Sequence, residues 1–114
     1  MIATLALSSD EMALMHGVFR AHPEIRAVKL FGSRAKGTQK VYSDVDLALV
    51  GDVDALGAEA ISSELDELPM PYRFHVQALA AVTFEGLLGY IERVGTVIYE
   101  SAVASSNSDL VRAR

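Results

Sequence analysis

Asp44 and Asp46 stand one residue apart at the head of an apolar stretch, Asp44-Val45-Asp46-Leu47-Ala48-Leu49-Val50. Side chains alternate across a β-strand, so this spacing puts both carboxylates on one face, with Cα atoms about 6.6 Å apart. Carboxylate oxygens are hard ligands suited to Mg2+, and two of them can share one ion or bridge a pair. Ions about 3.5–4 Å apart steady the attacking and leaving oxygens of phosphoryl transfer. Val45, Leu47 and Leu49 face the other way and are free to bury.

Gly32-Ser33 follows a second apolar stretch, Ile25-Arg26-Ala27-Val28-Lys29-Leu30-Phe31. Glycine lets the backbone approach a ligand closely, and N–H groups at the start of a helix or turn favour phosphate. Ser33 adds a hydroxyl donor, and Arg34 or Lys36 supplies positive charge for phosphate oxygens. If the two strands are antiparallel neighbours, the end of the first lies beside the start of the second. Ser33 then meets Asp44 and Asp46. Taken singly, an Asp-x-Asp pair can be a solvated strand end and Gly-Ser an ordinary turn. Together they describe a metal–triphosphate site.

The elements that must hold these residues follow from periodicity. Ser8 with Glu11 reads as a capping box that starts a helix carrying Met12, Met15, Val18 and Phe19 and ended by Pro23. Strands are predicted over 25–31 and 44–50. Asp52 and Asp54 favour the start of a helix whose apolar stripe is Leu56, Ala60, Ile61, Leu65 and Leu68. A third strand is predicted from Tyr72 to Leu79. A helix capped by Thr83 contains Phe84, Leu87, Leu88, Ile91 and Val94 and ends at Gly95, and Thr96-Val97-Ile98-Tyr99 forms a fourth strand.

The stretches Leu30-Phe31-Gly32-Ser33-Arg34-Ala35-Lys36-Gly37 and Ser43-Asp44-Val45-Asp46-Leu47 resemble the minimal nucleotidyltransferase (MNT) family of the DNA polymerase β superfamily. The resemblance runs from the first helix through Ile91-Glu92-Arg93-Val94-Gly95-Thr96-Val97-Ile98-Tyr99. It implies an α/β (α+β) nucleotidyltransferase fold, a mixed sheet of three to four strands flanked by helices. It further implies that Gly32 and Ser33 hold the triphosphate, with Arg34 and Lys36 supporting its charge, and that Asp44 and Asp46 hold one or two Mg2+ ions. A third carboxylate is expected from the third strand. His75 falls at that position and is counted with Asp44 and Asp46 among the candidate catalytic residues. A neutral imidazole accepts protons and binds transition metals but is a poor Mg2+ ligand.

The chain has 114 residues, with 51% hydrophobic and 22% charged, which is the composition of one globular domain. We expect a nucleotidyltransferase domain over 1–100 and a flexible tail over 101–114. The net charge of −5 argues against general nucleic-acid binding, although Arg34, Lys36 and Lys40 form a local basic group. The absence of cysteine removes disulfides and thiolate zinc sites, and no apolar run approaches the roughly 20 residues of a membrane span. The expectation is a cytoplasmic protein.

Two functions follow from the resemblance. One is transfer of a nucleoside monophosphate, AMP from ATP, to a hydroxyl such as a tyrosine of a HEPN-type toxin partner, as an antitoxin. The alternative is a degenerate nucleotide-binding module that neutralises such a partner by contact. A plain structural α/β domain leaves the clustered aspartates and the phosphate loop without a purpose.

Overall fold

The computed structural model describes residues 7–32 and 44–101. The elements in chain order are α1 (Ser9–Arg20), β1 (Ile25–Phe31), β2 (Val45–Gly51), α2 (Ala55–Asp66), β3 (Phe74–Ala78), a 3-10 turn (Leu79–Ala81), α3 (Glu85–Val94) and β4 (Thr96–Glu100). The strands form one mixed sheet in the order β3-β2-β1-β4. β1 pairs antiparallel with both β2 and β4, whereas β2 and β3 run parallel with α2 as their crossover.

Local chemistry sets the helix starts. Ser8 accepts a hydrogen bond from the Glu11 N–H at 3.1 Å and Glu11 Oε1 accepts from the Ser8 N–H at 2.9 Å, completing the expected capping box. Asp54 caps α2 by accepting from the Gly57 N–H at 2.8 Å. α3 differs from expectation. Its N-cap is Phe84, which has no side-chain cap, so Thr83 stays outside the helix.

One face of the sheet carries the larger core. Val45, Leu47 and Leu49 of β2, Val28 and Leu30 of β1, and Phe74 and Ala78 of β3 pack with Met15 and Phe19 of α1 and with Ala58, Ile61 and Leu65 of α2. Each fully buried Leu, Ile or Phe contributes about 1.5–3 kcal/mol through apolar burial. The register between β1 and β2 shifts between Ile25 and Ala27. Arg26 is thereby the extra residue of a bulge, which lets Ile25 and Val28 bury together although they lie three apart. The buried stripe of α2 corrects the expected one. Leu56 is 75% exposed, and Ala60 is also exposed, because the helix rests on Ala58, Ile61 and Leu65 at i, i+3, i+7 spacing.

The opposite face has a smaller core of Phe31, Ala48 and Ile91, flanked by Leu79, Leu87, Tyr90 and Val94. α3 lies on this face and contacts β1. The fold is therefore the expected mixed sheet with helices on both faces. Among the described residues no helix is long and apolar enough to cross a membrane. The tail expected over 101–114 lies, after Ser101, outside the described residues; Ser101 itself is buried and donates its N–H to the Arg26 carbonyl at 2.9 Å.

Candidate functional site

Asp44 sits immediately before β2 and Asp46 is its second residue, so the strand begins one position later than predicted while the alternation holds. Asp46 lies opposite Phe31 across the β1–β2 ladder and opposite His75 across the β2–β3 ladder. The odd positions Val45, Leu47 and Leu49 are fully buried on the other face. Apolar anchoring on one side thus fixes the direction of both carboxylates on the other.

Antiparallel pairing brings the end of β1 against the start of β2, as the motif spacing requires. Gly32, one residue beyond Phe31, has φ +78°, a conformation that L side chains rarely adopt. A methyl group at Gly32 would collide with Oδ2 of Asp46. Its first demand is therefore close approach to a carboxylate. Ser33, Arg34 and Lys36, the other expected phosphate contacts, lie outside the described residues.

His75 Nε2 donates to Asp44 Oδ2 at 2.6 Å, with the two side chains 53% and 39% exposed. The imidazole therefore points toward the carboxylates. Burial pushes the Asp46 carboxyl above its ordinary pKa; the His75 charge opposes this and the Asp44 charge adds to it. A half-buried carboxylate next to a second one, with room made by a glycine, suits a divalent cation that would relieve both desolvation and repulsion. Among the described residues, however, no three histidine or carboxylate side chains already surround a common point.

Sequence reasoning missed the roof over this corner. Tyr90 of α3 meets the Phe31 ring edge-on, with centroids 6.3 Å apart, and the Arg93 guanidinium lies 6.0 Å from the Tyr90 centroid. The available signal was the i, i+3 spacing of Tyr90 and Arg93 on a helix otherwise read only for its apolar residues. A separate cavity of about 580 Å³ lies between α1 and β4, lined by His16, Arg20, Pro23, Val97, Ile98, Tyr99 and Glu100, and shares no residue with the carboxylate cluster. His16 and His22 have structural partners. His16 Nε2 donates to the Ile98 carbonyl at 2.6 Å, and His22 Nε2 meets Glu64 at 2.9 Å.

The family described as Polymerase beta, Nucleotidyltransferase matches residues 15–103. A protein of Haemophilus influenzae named as a probable protein adenylyltransferase MntA is 32% identical over 100 residues, spanning 86% of this chain and 87% of that protein. Among solved structures, a toxin–antitoxin crystal structure with AMP-PNP superposes with TM-score 0.68 at 18% identity, covering 90% of this chain and 87% of the other. A tri-AMPylated HEPN toxin of Shewanella oneidensis in complex with MNT antitoxin gives TM-score 0.61 at 16% identity, covering 87% and 75%. At such identities these superpositions establish likeness of fold.

Proposed function

The chain belongs to the polymerase β-type nucleotidyltransferase family, and from that premise we propose that it transfers AMP from ATP to a hydroxyl on a HEPN-domain partner, acting as its antitoxin. The observation that carries this reading is the Phe31–Asp46 register, which sets Gly32 against the Asp46 carboxylate. In this reading Gly32, from which the phosphate loop would start, stands beside the Asp46 carboxylate. The adenylyltransferase name of the Haemophilus relative and the HEPN toxin in the Shewanella structure support the choice of AMP and of partner.

Asp44 and Asp46 are the residues that would hold Mg2+, which when bound supplies positive charge at the phosphate oxygens. Gly32 and Ser33 bind the triphosphate, with Arg34 and Lys36 neutralising its charge. The acceptor oxygen bonds to the α-phosphorus while the α–β bridging bond breaks, pyrophosphate leaves and the hydroxyl proton passes to water. Positioning and charge do most of the work in such a transfer.

A second reading rests on the His75–Asp44 hydrogen bond, which occupies one carboxylate oxygen with a protein donor. In it the chain binds nucleotide and neutralises its partner by contact without transfer. The two separate in one assay. Protein incubated with α-labelled ATP, Mg2+ and a HEPN-domain protein is expected to label that protein, and Asp44→Asn or Asp46→Asn to abolish the label. Suppression of the HEPN protein with no label from wild type would sink the enzyme and leave the binding module.

A further inference from the structure

α3 reaches the carboxylate corner with its C-terminal end. It follows β3 through the 3-10 turn and leads into β4, whose first residue, Thr96, pairs with Leu30 one position before Phe31. The helix therefore climbs the sheet face from the end of β3, and its last turn stands at the Gly32 end of β1. That turn carries Arg93. Arg93 is exposed, and among the described residues no carboxylate forms an ion pair with it. Its guanidinium lies 6.0 Å from the centre of the Tyr90 ring, which meets Phe31 edge-on, and Phe31 is the ladder partner of Asp46. Buried Ile91 and Ala48 hold the helix on the sheet beneath this stack. A cation is thus kept on the carboxylate-bearing face by a ring contact rather than by an acid. It stands on the opposite flank from Arg73, which precedes β3 and whose carbonyl accepts the Val45 N–H at 2.9 Å.

Resting on the nucleotide reading above, we infer that Arg93 binds the terminal phosphate of the nucleoside triphosphate and thereby selects triphosphates over diphosphates. In that reading the α-phosphate sits at Asp44 and Asp46, and the rest of the triphosphate extends past Gly32 at the end of β1. β2, β1 and β4 are successive strands about 4.8 Å apart. Phosphates laid from β2 across β1 therefore point at the junction of α3 and β4, where Arg93 stands. A guanidinium keeps its charge and presents its donors in a planar fork, which suits a phosphate with three free oxygens. Only a triphosphate places such a group that far from the carboxylates. A cation in the last turn also suits the helix dipole; that role alone would change melting and leave nucleotide choice untouched.

The test uses the full chain with Mg2+ and the α,β-methylene analogues of ATP and ADP, whose α–β linkage does not break. Titration calorimetry gives the affinity for each. Wild type is expected to bind the triphosphate analogue more tightly, and Arg93→Gln to weaken that analogue about tenfold, the size of one charge-assisted contact. The diphosphate analogue should bind both proteins equally, and Arg93→Lys should recover part of the preference. Arg73→Gln removes the same charge from the other flank and is expected to leave the ratio as in wild type. Circular dichroism melts confirm that each variant is folded at the assay temperature. Equal weakening of both analogues by Arg93→Gln, an unchanged ratio, or the same shift in Arg73→Gln overturns the inference and leaves the nucleotide site standing. If wild type binds neither analogue, or Asp44→Asn and Asp46→Asn leave binding intact, the inference and the nucleotide reading fall together.

Discussion

Replacing Gly32 by alanine separates a turn glycine from a site glycine. At φ +78° an alanine costs about 1–2 kcal/mol of backbone strain. Pushing Asp46 off its rotamer to clear the new methyl adds about 0.5–1.5 kcal/mol. The stiffer unfolded chain returns about 0.4–1 kcal/mol. The net loss is about 2 kcal/mol, which for a domain of this size lowers Tm by roughly 6–10 °C. The displaced carboxylate also has a chemical cost. A misplacement near 1 Å is worth about a hundredfold in rate, so AMP transfer per folded molecule is expected to fall by about that factor. Gly51→Ala is the control. Its φ is +140° and its added methyl would meet the Glu24 carbonyl, at a point about 17 Å along β2 from Asp46. Assayed by calorimetry and label transfer below its melting temperature, Gly51→Ala is expected to lose at least as much stability and retain near wild-type turnover. Wild-type turnover in folded Gly32→Ala would refute the reasoning, because Asp46 would then not depend on the missing side chain.

Two further outcomes concern stability. His22 is held above its ordinary pKa by its hydrogen bond to Glu64, against the opposing effect of burial, with the charges of Glu64 and Glu24 adding. A histidine raised on folding stabilises fully below its unfolded pKa of about 6.5 and loses that contribution as pH rises through the folded value. Urea melts of wild type and His22→Gln should therefore differ most near pH 5.5, by under about 1 kcal/mol for so exposed a pair, and converge above neutrality; a gap that widens with pH contradicts the assignment. Gly17→Ala, in the middle of α1 where an added methyl meets nothing within 4 Å, should raise stability by about 0.5–1 kcal/mol in the same melts, and a loss would mean that the exposed face of α1 is constrained.

Much of this architecture was readable from residue types. The capping box at Ser8 and Glu11 is local chemistry, and β1 spans the predicted 25–31 because Gly32 stops it. The juxtaposition of Gly32 with Asp46 follows once two neighbouring strands are taken as antiparallel. The errors have a common cause in packing that a linear pattern does not carry. Leu56 fits a helical stripe, but the crossover onto β3 turns Ala58, Ile61 and Leu65 inward instead. Thr83 has good capping chemistry, yet the 3-10 turn over Leu79–Ala81 delays the helix until Glu85. Alternation alone could direct His75 to the site or to solvent; its bond to Asp44 depends on β3 pairing parallel to β2 in one register. The Tyr90–Arg93 spacing was legible, but its meeting with Phe31 was not, because the sequence does not say which face of the sheet α3 covers.

The strand order also carries a consequence for biosynthesis. The carboxylate corner draws on β1, β2 and β3, contiguous in the chain, whereas β4 arrives last and closes the far edge of β1. At about 5–20 residues per second, translation from Ala78 to Glu100 takes roughly one to four seconds. For that interval a nascent chain can hold the corner together while the β1 edge, with Val28 and Leu30 destined for burial, still awaits its partner. An unpaired apolar edge is the template on which chains join wrongly, so the nascent chain is expected to be prone to aggregate in the seconds before β4 pairs with β1.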